Sequence, residues 1–157
     1  MKAKKKKSRA HRQYGALPLR QDDEGAVEVR MITSRETRRW IVPKGWPIKG
    51  LNGPETAARE AAEEAGVRGK TGRKPVGAFI YDKRLNNGKS LRCEVSLYPL
   101  WVQETLEDWP ESHQRTASWL SMEEAAARAG DPGLGKVLRK MAGNKMTGNK
   151  MVSKAGS

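Results

Sequence analysis

Three glutamates fall within five residues of the segment REAAEEAGV: Glu60, Glu63 and Glu64. On a helix of about 3.6 residues per turn, positions i, i+3 and i+4 share one face. Arg59 lies one turn before Glu63 and one turn after Glu55, so it can hold a carboxylate from either side. Carboxylates that converge suit a hard divalent cation. Mg²⁺ takes oxygen ligands, keeps several waters and often shares itself with substrate phosphates. Such a site would neutralise phosphate oxygens, lower the pKa of a bound water and hold it in line with phosphorus. One carboxylate would take the water's proton; Glu63 is a candidate, with Glu60 or a later loop acid as alternatives. A merely solvated acidic face is also cheap, because like-charge neighbours on a helix cost only about 0.2–0.5 kcal/mol per pair. Two features weigh against it. No lysine occurs between Gly50 and Gly69 although lysine is abundant elsewhere, and the segment follows a Gly/Pro loop, where sites are commonly built.

The helix that carries these residues is clearly written. PETAAREAAEEAG has Pro54 in its first turn, Glu55 at its positive end and Gly66 at its C-terminal cap. Alanines at 57, 58, 61, 62 and 65 favour the helix and let it press close to a sheet. Upstream, KGWPIKGLNG, with three glycines and Pro47, reads as loop. QYGALPLR (13–20) and AVEVRMITS (26–34) read as a hairpin around an acidic turn, and RWIVP (39–43) as a third strand. VGAFIYDKRL (76–85) and LRCEVSLYPLWVQ (91–103) read as long strands joined by NNGK. ASWLSM (117–122) is a further strand, and Ser121 with Glu124 opens a helix in a capping-box pattern. GLGKVLRKMA makes a last helix. The expected class is α/β, a mixed sheet flanked by helices.

Formal charge is +13, from 31 basic and 18 acidic residues. Met1–Arg12 carries seven Lys/Arg and no acid, and Lys136–Ser157 six and no acid, so the rest of the chain is neutral by count. Residues 1–12 and 143–157 read as disordered basic tails around one domain at 13–142. They can be solubilising ends, or a grip on an acidic partner such as RNA. Aromatic residues that would stack bases are absent from both, apart from Tyr14 at the edge. The single cysteine, Cys93, excludes a disulfide framework and a cysteine-based metal site. With no N-terminal apolar region and no run of about 18 apolar residues, a soluble cytoplasmic chain is expected, monomeric or dimeric.

Gly45 to Val67, GWPIKGLNGPETAAREAAEEAGV, resembles the Nudix box, G-x5-E-x7-REUxEExGU with U apolar. Gly45, Arg59, Glu60, Ala61, Glu63, Glu64, Gly66 and Val67 fall on its positions; the first glutamate of the pattern falls on Leu51. TSRETRRWIVPKG, the paired strands and WVQETLEDWPESHQRTASWLSMEEA are similar to the diphosphoinositol polyphosphate phosphohydrolase branch. This resemblance implies a Nudix-type α/β/α sandwich and Mg²⁺- or Mn²⁺-dependent hydrolysis of a phosphoanhydride. It implies metal binding by Glu60, Glu63 and Glu64, with Arg59 orienting a glutamate. Leu51 lies before the helix and can serve loop structure, so hydrolysis is expected to be retained.

A polyanionic small-molecule substrate needs cations beside the metal. Arg20, Lys44, Lys49, Lys83 and Arg84 are candidates by position, and Ser34, Arg35 and Arg39 resemble the inositol-phosphate-gripping segment of the named branch. Arg115 sits in a loop similar to one carrying basic phosphate contacts there, and arginine suits bidentate phosphate contact. Trp46 could line a ring pocket. Diphosphoinositol polyphosphates or dinucleoside polyphosphates are the expected substrates. The alternatives are an NDP-sugar or (d)NTP pyrophosphohydrolase, and an RNA-binding or RNA-end-processing module using the tails.

Overall fold

A computed structural model describes residues 9–143. Eight strands form one sheet: β1 (His11–Gln21), β2 (Val27–Thr33), β3 (Trp40–Ile41), β4 (Lys44–Gly45), β5 (Val67–Thr71), β6 (Gly77–Arg84), β7 (Ser90–Thr105) and β8 (Ala117–Ser121). Helices are α1 (Gly53–Glu60), continued by a π turn at Ala61–Ala65, then α2 (Met122–Arg128) and α3 (Pro132–Gly143). The tails expected to be disordered fall largely outside the described residues. Strand β1 opens at His11, upstream of the expected boundary at residue 13, because His11 and Arg12 pair with Cys93 and Glu94.

The sheet is mixed. β1 and β7 run parallel from His11–Cys93 to Leu19–Trp101, and the other ladders are antiparallel. The β1–β2 hairpin pairs only near its turn, from Leu19–Val29 to Gln21–Val27. Beyond that it opens like a fork, and the segment 40–45 fills the gap. β3 pairs β2 at Ile32–Ile41, β4 pairs β1 at Tyr14–Gly45, and the Ala16 N–H donates to the Pro43 carbonyl at 3.0 Å. The expected third strand is thereby split at Pro43, and two residues expected in the loop, Lys44 and Gly45, lie within the sheet.

Strand alternation sorts the core into two layers. Leu17, Leu19, Val29, Met31, Val95 and Leu97 face α2 and α3, where they meet Met122, Ala125, Leu134 and Leu138. Ala16, Ile32, Tyr98 and Leu100 face the other way, onto Ala57, Ala61 and Ala65 of α1 and its π turn. Those alanines recur every fourth residue and are fully buried. Without longer side chains between them, the carboxylate-bearing helix sits tight against the sheet. The result is the expected α/β/α sandwich.

Candidate active site

Helix α1 begins with a complete capping box. The Asn52 side chain accepts the Glu55 N–H at 2.8 Å, and the Glu55 carboxylate accepts the Asn52 N–H at 2.9 Å. Its far end is held carbonyl by carbonyl. Glu63 O accepts from Glu111 N–H at 3.1 Å, Glu64 O from the Trp109 indole at 3.2 Å, Ala65 O from Arg30 Nε at 2.9 Å and Gly66 O from Leu106 N–H at 2.8 Å. Gly66 takes φ +67°, and a Cβ there would overlap the Trp109 ring.

The π turn reshapes the acidic face. The Gly66 N–H bonds Ala61 O, an i→i+5 closure. A wider turn brings residue i+4 more nearly under residue i and carries i+3 round the axis. Glu60 and Glu64 accordingly meet, with their carboxyl groups in hydrogen-bonding contact. Both line a cleft of about 790 Å³, and the Glu63 side chain does not. Among the described residues no three His, Cys, Asp or Glu side chains converge on one point. Arg59 is exposed.

Glu64 is 7% exposed. Burial, then the contact with Glu60, pushes its carboxyl well above the usual range, against the pull of Arg115. Burial raises Glu60 as well, partly offset by the hydrogen bond from Glu64. Burial and mutual contact thus favour the protonated form of this pair relative to an ordinary carboxyl. Gly45 packs against the Glu60 carboxylate so closely that a Cβ would overlap it, and the Lys44 N–H donates to Glu64 Oε1 at 3.2 Å. The forked sheet thus delivers its backbone directly to both carboxylates.

Cations line the walls. Ser34, Arg35, Arg39, Lys44 and Arg115 all border the cleft. Arg115 is fixed: Nε donates to Glu111 Oε1 at 2.7 Å, Nη1 to Thr33 O at 3.1 Å, and Nη2 lies 3.9 Å from Glu64 Oε1. The Lys44 ammonium sits 4.7 Å from the Tyr81 ring centroid. Burial lowers its pKa, opposed by Glu64 and then Asp131. The 34–39 loop is tied by Ser34, whose Oγ accepts the Arg39 N–H at 3.0 Å and contacts Thr37 Oγ1 at 2.7 Å.

Arg20 lies elsewhere. It pairs with Glu28 at 2.8 Å and stacks on Trp119 at 4.2 Å, outside the cleft lining. Lys83 and Arg84, candidates by position only, join the lining with Trp46, Gln13, Tyr81 and Asn86. Tyr81 donates to Gln13 Oε1 at 2.8 Å, and burial raises its pKa, so it acts as a neutral donor. Neither Gln13 nor Tyr81 carries a sequence signal beyond its place in a strand. Leu51 is not in the lining; its N–H closes a turn onto Ile48 O at 3.0 Å.

A family model for the NUDIX domain matches residues 9–141. Nudix hydrolase 16, mitochondrial, of Arabidopsis thaliana is 33% identical over 130 residues, covering 75% of this chain and 72% of that protein. Other Nudix hydrolases of that plant are matched over 46% to 64% of their own length. Human diphosphoinositol polyphosphate phosphohydrolase 3-beta is 40% identical over 101 residues, 62% of this chain and 57% of the human protein. A solved structure of a C. elegans Ap4A hydrolase shares the fold, with TM-score 0.62 at 21% identity over 88% of this chain and 100% of that one. With the glutamate helix, its glycine and the forked sheet in place, the chain belongs to the Nudix hydrolase family, enzymes that act on pyrophosphate bonds.

Proposed function

We propose that this protein hydrolyses a phosphoanhydride in a highly charged small molecule, a diphosphoinositol polyphosphate or a dinucleoside polyphosphate, by attack of water on phosphorus. The supporting observation is the pairing of Glu60 with Glu64 in a cleft walled by Arg35, Arg39, Lys44, Lys83, Arg84 and Arg115. The buried Glu64 and half-buried Glu60 carboxyls offer hard oxygen ligands on one cleft wall, so they fit Mg²⁺ or Mn²⁺. Glu60 and Glu64 would hold the metal, and when bound it would neutralise phosphate oxygens and acidify a water; Glu63, outside the cleft lining, would have to turn inward to serve as a third carboxylate. The chain does the remaining work. Arg35, Arg39 and Lys44 draw in and align the polyanion, and Arg115 keeps Glu64 in place. The water's proton would pass to Glu63, turned toward the cleft and oriented by Arg59 one turn before it, or to Glu60, which already lines the cleft.

The names of the human and nematode proteins agree with these two substrate classes. The lining holds six basic residues against four acids, Glu36, Glu60, Glu64 and Asp82; with Glu60 and Glu64 given over to a metal, the basic excess suits a polyphosphate, and the NDP-sugar and (d)NTP readings stand second. The RNA reading rests mainly on tails outside the described residues. A cytoplasmic location is part of the proposal, although several plant relatives are named mitochondrial. Among the described residues no helix is long and apolar enough to cross a membrane. The test is a panel of inositol pyrophosphates, diadenosine polyphosphates, NDP-sugars, dNTPs and capped RNA with Mg²⁺ or Mn²⁺. Turnover should be fastest on the first two groups. Absence of phosphate, pyrophosphate or nucleotide release from every member would overturn the enzyme reading.

A further inference from the structure

Asp131 is 5% exposed. It directly precedes α3, and its carbonyl accepts the Gly135 N–H at 3.0 Å, which places it at the helix N-cap. Side chains at such positions usually accept a helix amide. Asn52 does so from Glu55 N–H, and Ser121 from Glu124 N–H. The Asp131 carboxylate is diverted instead. Its Oδ1 accepts from Arg39 Nη1 at 3.1 Å, and Oδ2 is buried with no partner among the described residues. An unpaired buried acceptor costs free energy, and forgoing the cap adds to that cost. Fold stability therefore explains this carboxylate poorly; what it holds explains it better.

The backbone beside it converges on the same arginine. Gly130 O accepts from Arg39 Nη1 at 3.2 Å, Gly130 N–H donates to Trp40 O at 2.8 Å, and Ala129 bridges Trp40. A Cβ on Gly130 would overlap the Arg39 side chain, so this glycine permits the close approach. Arg39 Nε donates to Thr37 Oγ1 at 3.0 Å. Nη2 is left without a partner among the described residues, on a side chain that lines the cleft. We propose that Asp131 is a positioning residue that clamps Arg39 so that its free Nη2 edge meets an anionic group of the substrate. This rests on the reading of the cleft as a polyanion site.

The test is Asp131→Asn in the full chain. Relaxation of the Arg39 Nε–H in ¹⁵N NMR reads the clamp without any ligand. This signal should be as ordered as the backbone in the native protein and mobile in the variant. Calorimetry with inositol hexakisphosphate and Mg²⁺ reads the consequence, since that polyanion has no anhydride to cleave. Affinity should fall about threefold to tenfold, and the double variant with Arg39→Gln should be no weaker than Arg39→Gln alone. On a hydrolysed substrate KM should rise while kcat holds. An unchanged Arg39 signal, or binding equal to or tighter than native from loss of a negative charge, would overturn the proposal. Should Asp131→Asn fold poorly, Arg39→Lys tests the same pair from its exposed side, with the same loss expected. Failure of the native protein to cleave any phosphoanhydride would instead sink the enzyme reading, leaving the NMR result to judge the clamp.

Discussion

At the scale of single residues, the candidate active site centres on two carboxyls, Glu60 and Glu64, packed against the backbone of Lys44 and Gly45. Glu60 and Glu64 are raised above the usual carboxyl range, chiefly by burial. Between the ordinary and the raised values the folded protein binds more protons than the unfolded chain. Stability from this pair is thus fully present below the ordinary carboxyl value and is lost as pH rises through the folded value. Thermal unfolding in chelator should show that decline on raising the pH, and Mg²⁺ should flatten it by replacing the proton. Identical pH profiles with and without Mg²⁺ would remove the pair as a metal site. Replacing Gly45 by alanine tests the same contact sterically. The methyl group meets the Glu60 carboxylate, so turnover should fall by about tenfold or more in a variant whose circular dichroism is unchanged. Glu63→Gln should also lose most turnover while staying folded, and full activity would pass the proton-accepting role to another acid.

At the scale of elements, the end of the glutamate helix is the critical joint. Four successive carbonyls, from Glu63 to Gly66, are each met by a donor from another segment. Arg30 supplies one donor while its guanidinium lies 5.7 Å from both the Trp109 and Trp119 rings. A cation here also faces the negative end of the helix. Arg30→Met keeps much of the packing but leaves Ala65 O unpaired, so urea unfolding should show a loss of about 1–3 kcal/mol. Gly66→Ala combines a left-handed backbone with a clash on Trp109. It should cost about 1–3 kcal/mol from backbone strain alone. It should also lower activity, because the turn that aligns Glu60 with Glu64 ends there.

At the scale of the molecule, the two-layer core leaves the cleft to be built from distant segments. Loop 34–39, the forked insertion, the π turn, the β6 end and Arg115 all contribute to its lining. A site assembled from many partly exposed cations works by summed attraction. Its kcat/KM for a polyanion should fall as ionic strength rises from about 0.05 to 0.5 M, through KM more than kcat. The basic ends fall largely outside the described residues. A chain trimmed to residues 9–143 should keep its hydrolysis rate within about twofold, and a steep loss would assign the ends to the site.

Local regularities were legible in the sequence because they are written in short-range periods. The helix showed in Pro54, Gly66 and its alanines, and the long strands in their alternation. The glutamate cluster and Gly45 marked the site. The short polar strand Val67–Thr71 has no such period. It exists because Gly69 lets the chain pass close to the Trp101 backbone at a register shift. Nor do residue types alone separate Arg39, which faces the cleft, from Arg20, which stacks on Trp119. The sequence by itself determined which residues could do the chemistry and that they ride on one capped helix. Tertiary structure alone decided that a π turn pairs Glu60 with Glu64, that the opened hairpin seats Gly45 against them, and that Asp131 turns from its helix to Arg39. Those outcomes depend on contacts between segments far apart in the chain, and on close packing, which no local period encodes.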